Sequence, residues 1–225
     1  MPYTPVPRTG RMRRPAPVTL RASLEPAPTT LEAGGVYSGV AFEGAQLASQ
    51  RADGAEFDGC RITACDLSGV RLTRSMVTNV LVERSNLSNV RATGSSMIRV
   101  ELIASRLTGL IWSNGRLRDV TVRDGKVDLA NFRSTSMNNV RFEGCNMRQT
   151  DFQNADLRGA VFDTCDLTSV QFSGARMEGA RLVNCTLVAV NGVTSMTGAA
   201  ISARDLAALA HSLAGALGID VVDEG

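Results

Sequence analysis

The chain has 225 residues, 44% hydrophobic but only 4% aromatic, which admits one large or two small domains and excludes a core of large rings. Its net charge of +2 is too small for strong bulk attraction to nucleic acid or membrane, and no apolar run is long enough for a transmembrane helix. Five cysteines, an odd number, fit a reducing cytoplasm better than a disulfide framework, and no apolar segment of the secretory kind follows the basic N-terminus.

Residues 1–35 differ from everything after them. All seven prolines lie at or before Pro28, and Arg8, Arg11, Arg13 and Arg14 cluster in the same stretch. Proline has no N–H for a β-ladder and a fixed φ, so this segment cannot be the interior of a sheet. It reads as a disordered or extended tail. A basic arm that touches an acidic partner is the functional alternative to a solvated leader.

From about Tyr37 a five-residue period sets in. Every fifth residue from Phe42 to Leu187 is apolar, by way of Leu47, Ala52, Phe57 and Ile62, for thirty pentads without an insertion or deletion. A second small or apolar residue precedes most centres by two, as at Val40, Ala45, Ala55, Cys60 and Cys65. Helices repeat at 3.6 and flat strands at 2, so neither describes this stretch. A short fixed period over such a length means a solenoid. One pentad cannot bury its own apolar residue, whereas stacked copies enclose a continuous core. If four pentads close one square coil, thirty make about 7.5 coils, a column about 36 Å long at a strand spacing of roughly 4.8 Å.

The runs Ala155-Asp156-Leu157-Arg158-Gly159, Cys65-Asp66-Leu67-Ser68-Gly69 and Val140-Arg141-Phe142-Glu143-Gly144 carry a family resemblance. The stretch is similar to the pentapeptide repeat family, over about two-thirds of the chain. The resemblance implies an all-β, right-handed, four-sided parallel β-solenoid. The centre and the residue two before it point inward, and the other three positions point out.

Residues twenty apart should then stack. One column of centres reads Ala52, Leu72, Ala92, Trp112, Phe132, Phe152 and Phe172, with the single tryptophan next to an alanine, as near-constant interior volume requires. Trp112 is read as core. Cys65, Cys145, Cys165 and Cys185 fall in one inward column that also takes Ala45, Ser85 and Ser105, so they are read as small buried residues rather than metal ligands. Gly115 and Gly125 fill inward slots near Trp112, either as room for the indole or as a change of turn.

Function falls to the outward positions. Arg51, Arg71 and Arg91 recur at twenty-residue spacing on the face centred on Leu72, with Arg74 nearby. Outward apolar residues, among them Leu81, Ile98, Ile103 and Ile111 together with Met76 and Leu129, gather around the third to fifth coils. Such a group is a candidate contact surface or a scatter of surface hydrophobes.

The repeat stops at Gly192. Residues 202–217 read as a helix capped by Ser202, with Asp205 three residues on and Gly218 after its end. Leu206, Leu209, Ala210, Leu213 and Leu217 make one apolar stripe. A solenoid end needs a cap, so the helix is expected to cover the last coil. In several members of the similar family this segment dimerises the protein, which is the alternative role. His211, the single histidine, falls opposite the stripe and reads as solvent-facing. The domains are therefore 1–35, 36–191 and 192–225.

The sequence carries no Gly-rich phosphate loop, no HExxH and no CxxC, and no enzyme, cofactor or metal is expected. The first reading is a protein-binding scaffold with a rigid surface. The family resemblance implies a second: some members bind DNA gyrase and protect it from quinolones or toxins, as rods whose acidic surface is similar to DNA. Here the surface is close to neutral with one basic face. Direct nucleic-acid binding through the arginines is the third and weakest reading.

Overall fold

Each pentad places its centre and the residue two before it inside, and the chain must turn between pentads to do so. The residue two after the centre makes that turn in the left-handed region, as at Gly59 (φ 63°), Gly69 (φ 69°) and Asn89 (φ 57°). The computed structural model describes residues 13–221, which wind into a parallel β-solenoid of about eight coils.

Its strands are β1 (Glu25–Pro26), β2 (Val36–Ser38), β3 (Val40–Glu43), β4 (Glu56–Asp58), β5 (Arg61–Thr63), β6 (Met76–Glu83) and β7 (Ser96–Ile103). They continue as β8 (Arg116–Arg123), β9 (Ser136–Glu143), β10 (Val161–Asp163), β11 (Arg181–Val183) and β12 (Ala200–Ile201). The register is twenty residues per coil: Val77 pairs with Met97, Met97 with Leu117, and Leu117 with Met137. The four faces take the names of their centres Phe42, Leu47, Leu72 and Phe57. β6 to β9 run unbroken from the Phe57 face onto the Phe42 face, whereas the Leu47 and Leu72 faces pair through single bridges.

The interior is a single column of buried centres. In its C-terminal half the Phe132–Phe152–Phe172 ladder forms as the register requires, with centroids 5.4 and 5.7 Å apart. A second ladder interlocks with it: Phe142 stacks on Phe162 at 5.3 Å and meets Phe152 edge-on at 6.2 Å. Trp112 is buried at the start of this stack. In the N-terminal half, Val and Leu centres leave an apolar void of about 40 Å³ lined by Leu72, Val77, Met97 and Trp112 among others.

A backbone that exposes carbonyls inward at every corner must satisfy them. Where the inward residue two before a centre is Ser, Thr or Cys, it can do this by donating to the carbonyl 23 residues earlier. Ser75 Oγ donates to Ala52 O (3.0 Å), Thr150 Oγ1 to Val127 O (2.9 Å), Cys145 Sγ to Val122 O (3.4 Å) and Cys165 Sγ to Phe142 O (3.4 Å). The cysteine column is thus part of the hydrogen-bonded frame. On the outside, Asp or Asn just before a centre accepts the N–H two residues on, as in Asp66 from Ser68 (2.9 Å) and Asp166 from Thr168 (3.0 Å). That Asx geometry is the physical reason for the Asp/Asn position of the repeat.

Both ends differ from the sequence reading. Residues 1–12 of the expected tail lie outside the described residues, and with them Arg8 and Arg11. From Arg13 the segment takes the extended one of the two expected forms, and its last part belongs to the solenoid. β1 pairs with β3 (Glu25 with Val40), and Leu31 is buried against the first coil, its N–H held by Gln50 Oε1 at 2.6 Å. Tyr37 stacks on Phe57 at 4.8 Å and closes that end.

At the other end the helix α1 spans Leu206–Ala216, later than the expected start, after a short 3-10 turn at Ala203–Asp205. Ser202 makes no side-chain cap. Of the expected stripe, Leu209 is buried and Leu213 packs against the core, while Leu206 and Leu217 are 50% and 74% exposed. The end of the column is instead sealed by Asp205. It sits twenty residues after Cys185, and its buried carboxylate accepts the Cys185 N–H at 2.9 Å, where a further coil would have put a hydroxyl.

Candidate interaction surface

A column filled by its own side chains presents its chemistry outward, so the sites to consider are rows of side chains one coil apart. On the Leu72 face Arg51, Arg71 and Arg91 stand in one bridged row, and the next residue in that row is Ile111. Two of the predicted groups therefore meet on one face. Arg74 stands at the adjacent corner in the left-handed region (φ 56°). Arg71 pairs with Asp53 at 3.4 Å. Against partial burial, which raises it, the Thr73 N–H and the Arg71 and Arg51 guanidinia hold the Asp53 carboxyl below its usual range. Among the described residues, Arg51, Arg74 and Arg91 form no salt bridge. A shallow cleft between coils is lined by Gly69, Arg71, Thr73, Arg91 and Thr93.

Several arginines of the C-terminal half share carboxylates. Glu143 takes both Arg141 (2.9 Å) and Arg123 (3.1 Å), and Asp156 takes Arg158 (2.7 Å) and Arg176 (3.6 Å). On the Leu72 face itself Arg133 pairs with Asp151 at 3.5 Å, so the arginines of that face without a salt bridge among the described residues, Arg51, Arg74 and Arg91, stand in its first coils.

The predicted apolar group divides. Ile98 lies on the Phe57 face and Leu81 and Ile103 on the Phe42 face, all three half-buried. Met76 and Leu129 are exposed, Leu129 with a left-handed backbone (φ 58°). The group shares its level along the rod but not its face.

A feature invisible to the pattern lies between Ile98 and Glu101. Residues 14–19 run lengthwise over the corner of the Phe57 and Phe42 faces, opposite to the direction in which the coils advance. Asn139 Nδ2 donates to Arg14 O (3.2 Å), and the Ala16 N–H donates to Asp119 Oδ1 (3.3 Å). The Val18 N–H donates to Glu101 Oε1 (3.2 Å) and the Thr19 N–H to Asn79 Oδ1 (2.8 Å), while Asn79 Nδ2 returns a bond to Thr19 O. The corner position is Gly at 39, 59, 159 and 179, Asn or Asp at 79, 119 and 139, and Arg at 99, which by itself does not point to a bound segment.

All five cysteines are buried and free. Burial pushes the Cys60 and Cys65 thiols up, and Cys165 is pushed up first by the neighbouring thiols of Cys145 and Cys185 and then by burial. His211 is solvent-exposed on α1. At the C-terminal end, Leu206, Leu217, Ile219 and Val221 are exposed together on and after α1. No helix among the described residues is long and apolar enough to cross a membrane.

No curated protein matches the chain. Among solved structures, a trypsin-treated variant of QnrB1, a plasmid-mediated fluoroquinolone resistance protein, is 20% identical, covering 86% of this chain and 97% of its own at a TM-score of 0.48. HetL, a pentapeptide repeat protein involved in heterocyst differentiation regulation in the cyanobacterium Nostoc, is 13% identical, covering 70% and 87% at a TM-score of 0.34. A family model described as a pentapeptide repeat region matches residues 95–172 and 117–192, and one for pentapeptide repeats in eight copies matches 42–75. These stretches make up more than half of the chain and contain the twenty-residue register described above: the chain belongs to the pentapeptide repeat family.

Proposed function

We propose that this protein is a non-catalytic scaffold of the cytoplasm that presents the first coils of its Leu72 face to another protein. The observation that carries this reading is the row Arg51–Arg71–Arg91–Ile111. It places three guanidinia, of which only Arg71 has a carboxylate partner among the described residues, beside an apolar side chain on a backbone held by ladder hydrogen bonds at every coil. A partner with acidic groups around an apolar anchor fits that row. The exposed C-terminal Leu206, Leu217, Ile219 and Val221 support a homodimer as the form in which the row is displayed. Affinity capture with Arg71→Glu/Arg91→Glu and, separately, Ile111→Asp tests the reading. Loss of a wild-type partner with an unchanged melting temperature supports it, and an unchanged set of partners sinks it.

The family resemblance brings a second reading, binding and protection of DNA gyrase. A rod of coils supports it by shape, but a row of arginines is the opposite of the phosphate charge of DNA. Supercoiling by purified gyrase, with and without a quinolone, separates the two. Protection that survives Arg71→Glu/Arg91→Glu would favour gyrase binding by shape, and no effect at micromolar protein removes this reading.

A further inference from the structure

The contact between residues 14–19 and the rod is made almost wholly through the main chain of the segment. Four rod side chains, Asn79, Glu101, Asp119 and Asn139, supply all five hydrogen bonds, each to a backbone N–H or carbonyl. The spacing fits: five extended residues span about 17 Å, and the three coils from Asn139 to Asn79 span about 14 Å. At the corners where the segment runs, Asn or Asp stands in place of glycine at 79, 119 and 139 and Arg at 99, and glycine returns beyond it at 159 and 179. Asn and Asp are the non-glycine residues that best tolerate the left-handed backbone there (φ 55° at 79, 119 and 139). The row is therefore a groove for an extended main chain.

The segment in that groove is attached by a hinge. Its neighbour β1 is fixed to the first coil by Glu25 N–H to Gly39 O (3.2 Å) and Ala27 N–H to Ala41 O (2.9 Å). Between them, no backbone hydrogen bond among the described residues ties residues 20–24 to the solenoid, and the chain bends at Ala22 and Ser23. Surface hydrogen bonds contribute little each against the entropy of ordering a segment, so an arm held this way opens readily.

We propose that the Asn79–Glu101–Asp119–Asn139 groove accepts the N-terminal arm of a second copy of this chain, so that two rods associate by exchanging arms. The second copy is the occupant because it carries the one segment whose fit to the groove is displayed, and a hinged arm bound through its backbone is what exchange requires. Arg13 stands in a cleft with Arg118, Asp119, Asn138, Asn139 and Arg158, and the Arg14 carbonyl accepts from Asn139 Nδ2. This association does not involve α1.

Energy transfer between full-length chains tests it. All five native thiols are buried, so Arg13→Cys takes a donor dye on one population and Asn138→Cys an acceptor on another. On mixing at tens to hundreds of micromolar, transfer should appear and rise with concentration. It should be lost in the Asn79→Ala/Asp119→Ala/Asn139→Ala variant and on adding excess free peptide of residues 13–21. Two results overturn the proposal. One is transfer that persists in the variant and in the peptide, which assigns association to another surface. The other is no transfer at any concentration, whether the free peptide binds, leaving the groove to segments of other proteins, or does not. The peptide arm keeps the test decisive should the triple variant fail to fold.

Discussion

At the scale of single residues, the inside of the rod follows a rule that periodicity alone does not reveal: hydroxyls such as Ser75, Thr135 and Thr150, two before a centre, close the carbonyl 23 residues earlier. At Ala52 the carbonyl also receives the Ala55 N–H at 3.1 Å, so Ser75→Ala leaves one donor in place. At Trp112 that turn bond is missing among the described contacts, and Thr135 Oγ1 donates at 2.6 Å. Thr135→Val should therefore cost about 1–3 kcal/mol, the penalty of an unsatisfied buried group, and Ser75→Ala distinctly less. Equal losses in chemical denaturation would contradict the rule. Gly115 shows why the turn changes there: an added Cβ would stand 2.5 Å from Ser95 O and 2.8 Å from the indole Nε1. Both sequence readings of that glycine, room for the indole and a changed turn, apply together. Gly125 is less crowded, its closest neighbour being Val122 Cγ1 at 3.2 Å. Gly115→Ala should destabilise by about 1–3 kcal/mol, and Gly125→Ala by less. On the outside, Leu129 combines exposure with a left-handed backbone, a costly conformation for a residue of its kind. Leu129→Gly is expected to raise the melting temperature by about 2–4 °C, and a fall would mean that the leucine makes a stabilising contact.

At the scale of elements, the pentads were legible and the two ends were not. The centres, the Phe132–Phe152–Phe172 ladder and the place of Trp112 follow from counting by five and twenty, because a stacked core admits no slip without exposing every centre. The second ladder through Phe142 and Phe162 was equally present in the count, but only the faces' proximity makes the two interlock. The ends break the period, and there local signals compete. Prolines marked residues 1–35 as unable to form a sheet interior; among the described residues an edge strand nonetheless accepts Pro26, because its partner lies on one side only. For the C-terminus a leucine stripe pointed to a helix packed along its length, whereas Asp205, read there as part of a helix start, closes the last coil by the register of the solenoid. The Arg51–Arg71–Arg91 row of the candidate surface was read directly from spacing, while the groove under residues 14–19 was not. Its partners lie between 60 and 125 residues apart in the chain, and no local pattern joins them.

At the scale of the whole molecule, carboxylates tie neighbouring coils and set the response to acid. The Ser68 amide holds Asp66 below its usual range, and the Arg158 guanidinium does the same for Asp156. Against burial, Arg141 and Arg123 lower Glu143, and Thr168 and Arg148 lower Asp166. A carboxylate lowered in the folded state contributes stability above its unfolded pKa, and that contribution disappears as pH falls through the folded value. Stability should be level from neutral pH to about 5 and decline below about 4, where unfolded carboxylates bind protons that the rod does not. Melting temperatures across that range check it, and stability that stays level below about 4 would contradict the assignment. The buried thiols make a companion prediction: a thiol reagent should leave all five cysteines unmodified in the folded rod and reach them on unfolding.

The central claim is that the rod's interior is structural and that its function lies on the first coils of the Leu72 face. Site-specific photo-crosslinking in the native cell addresses it most directly, with the reactive residue placed at Ile111, at the end of the arginine row, and at Asn184, on the Phe42 face near the far end. The account predicts a discrete protein adduct from position 111 that is absent from position 184 and disappears in the Arg71→Glu/Arg91→Glu background. The same adducts from both positions, or an adduct at 111 indifferent to those arginines, would contradict it.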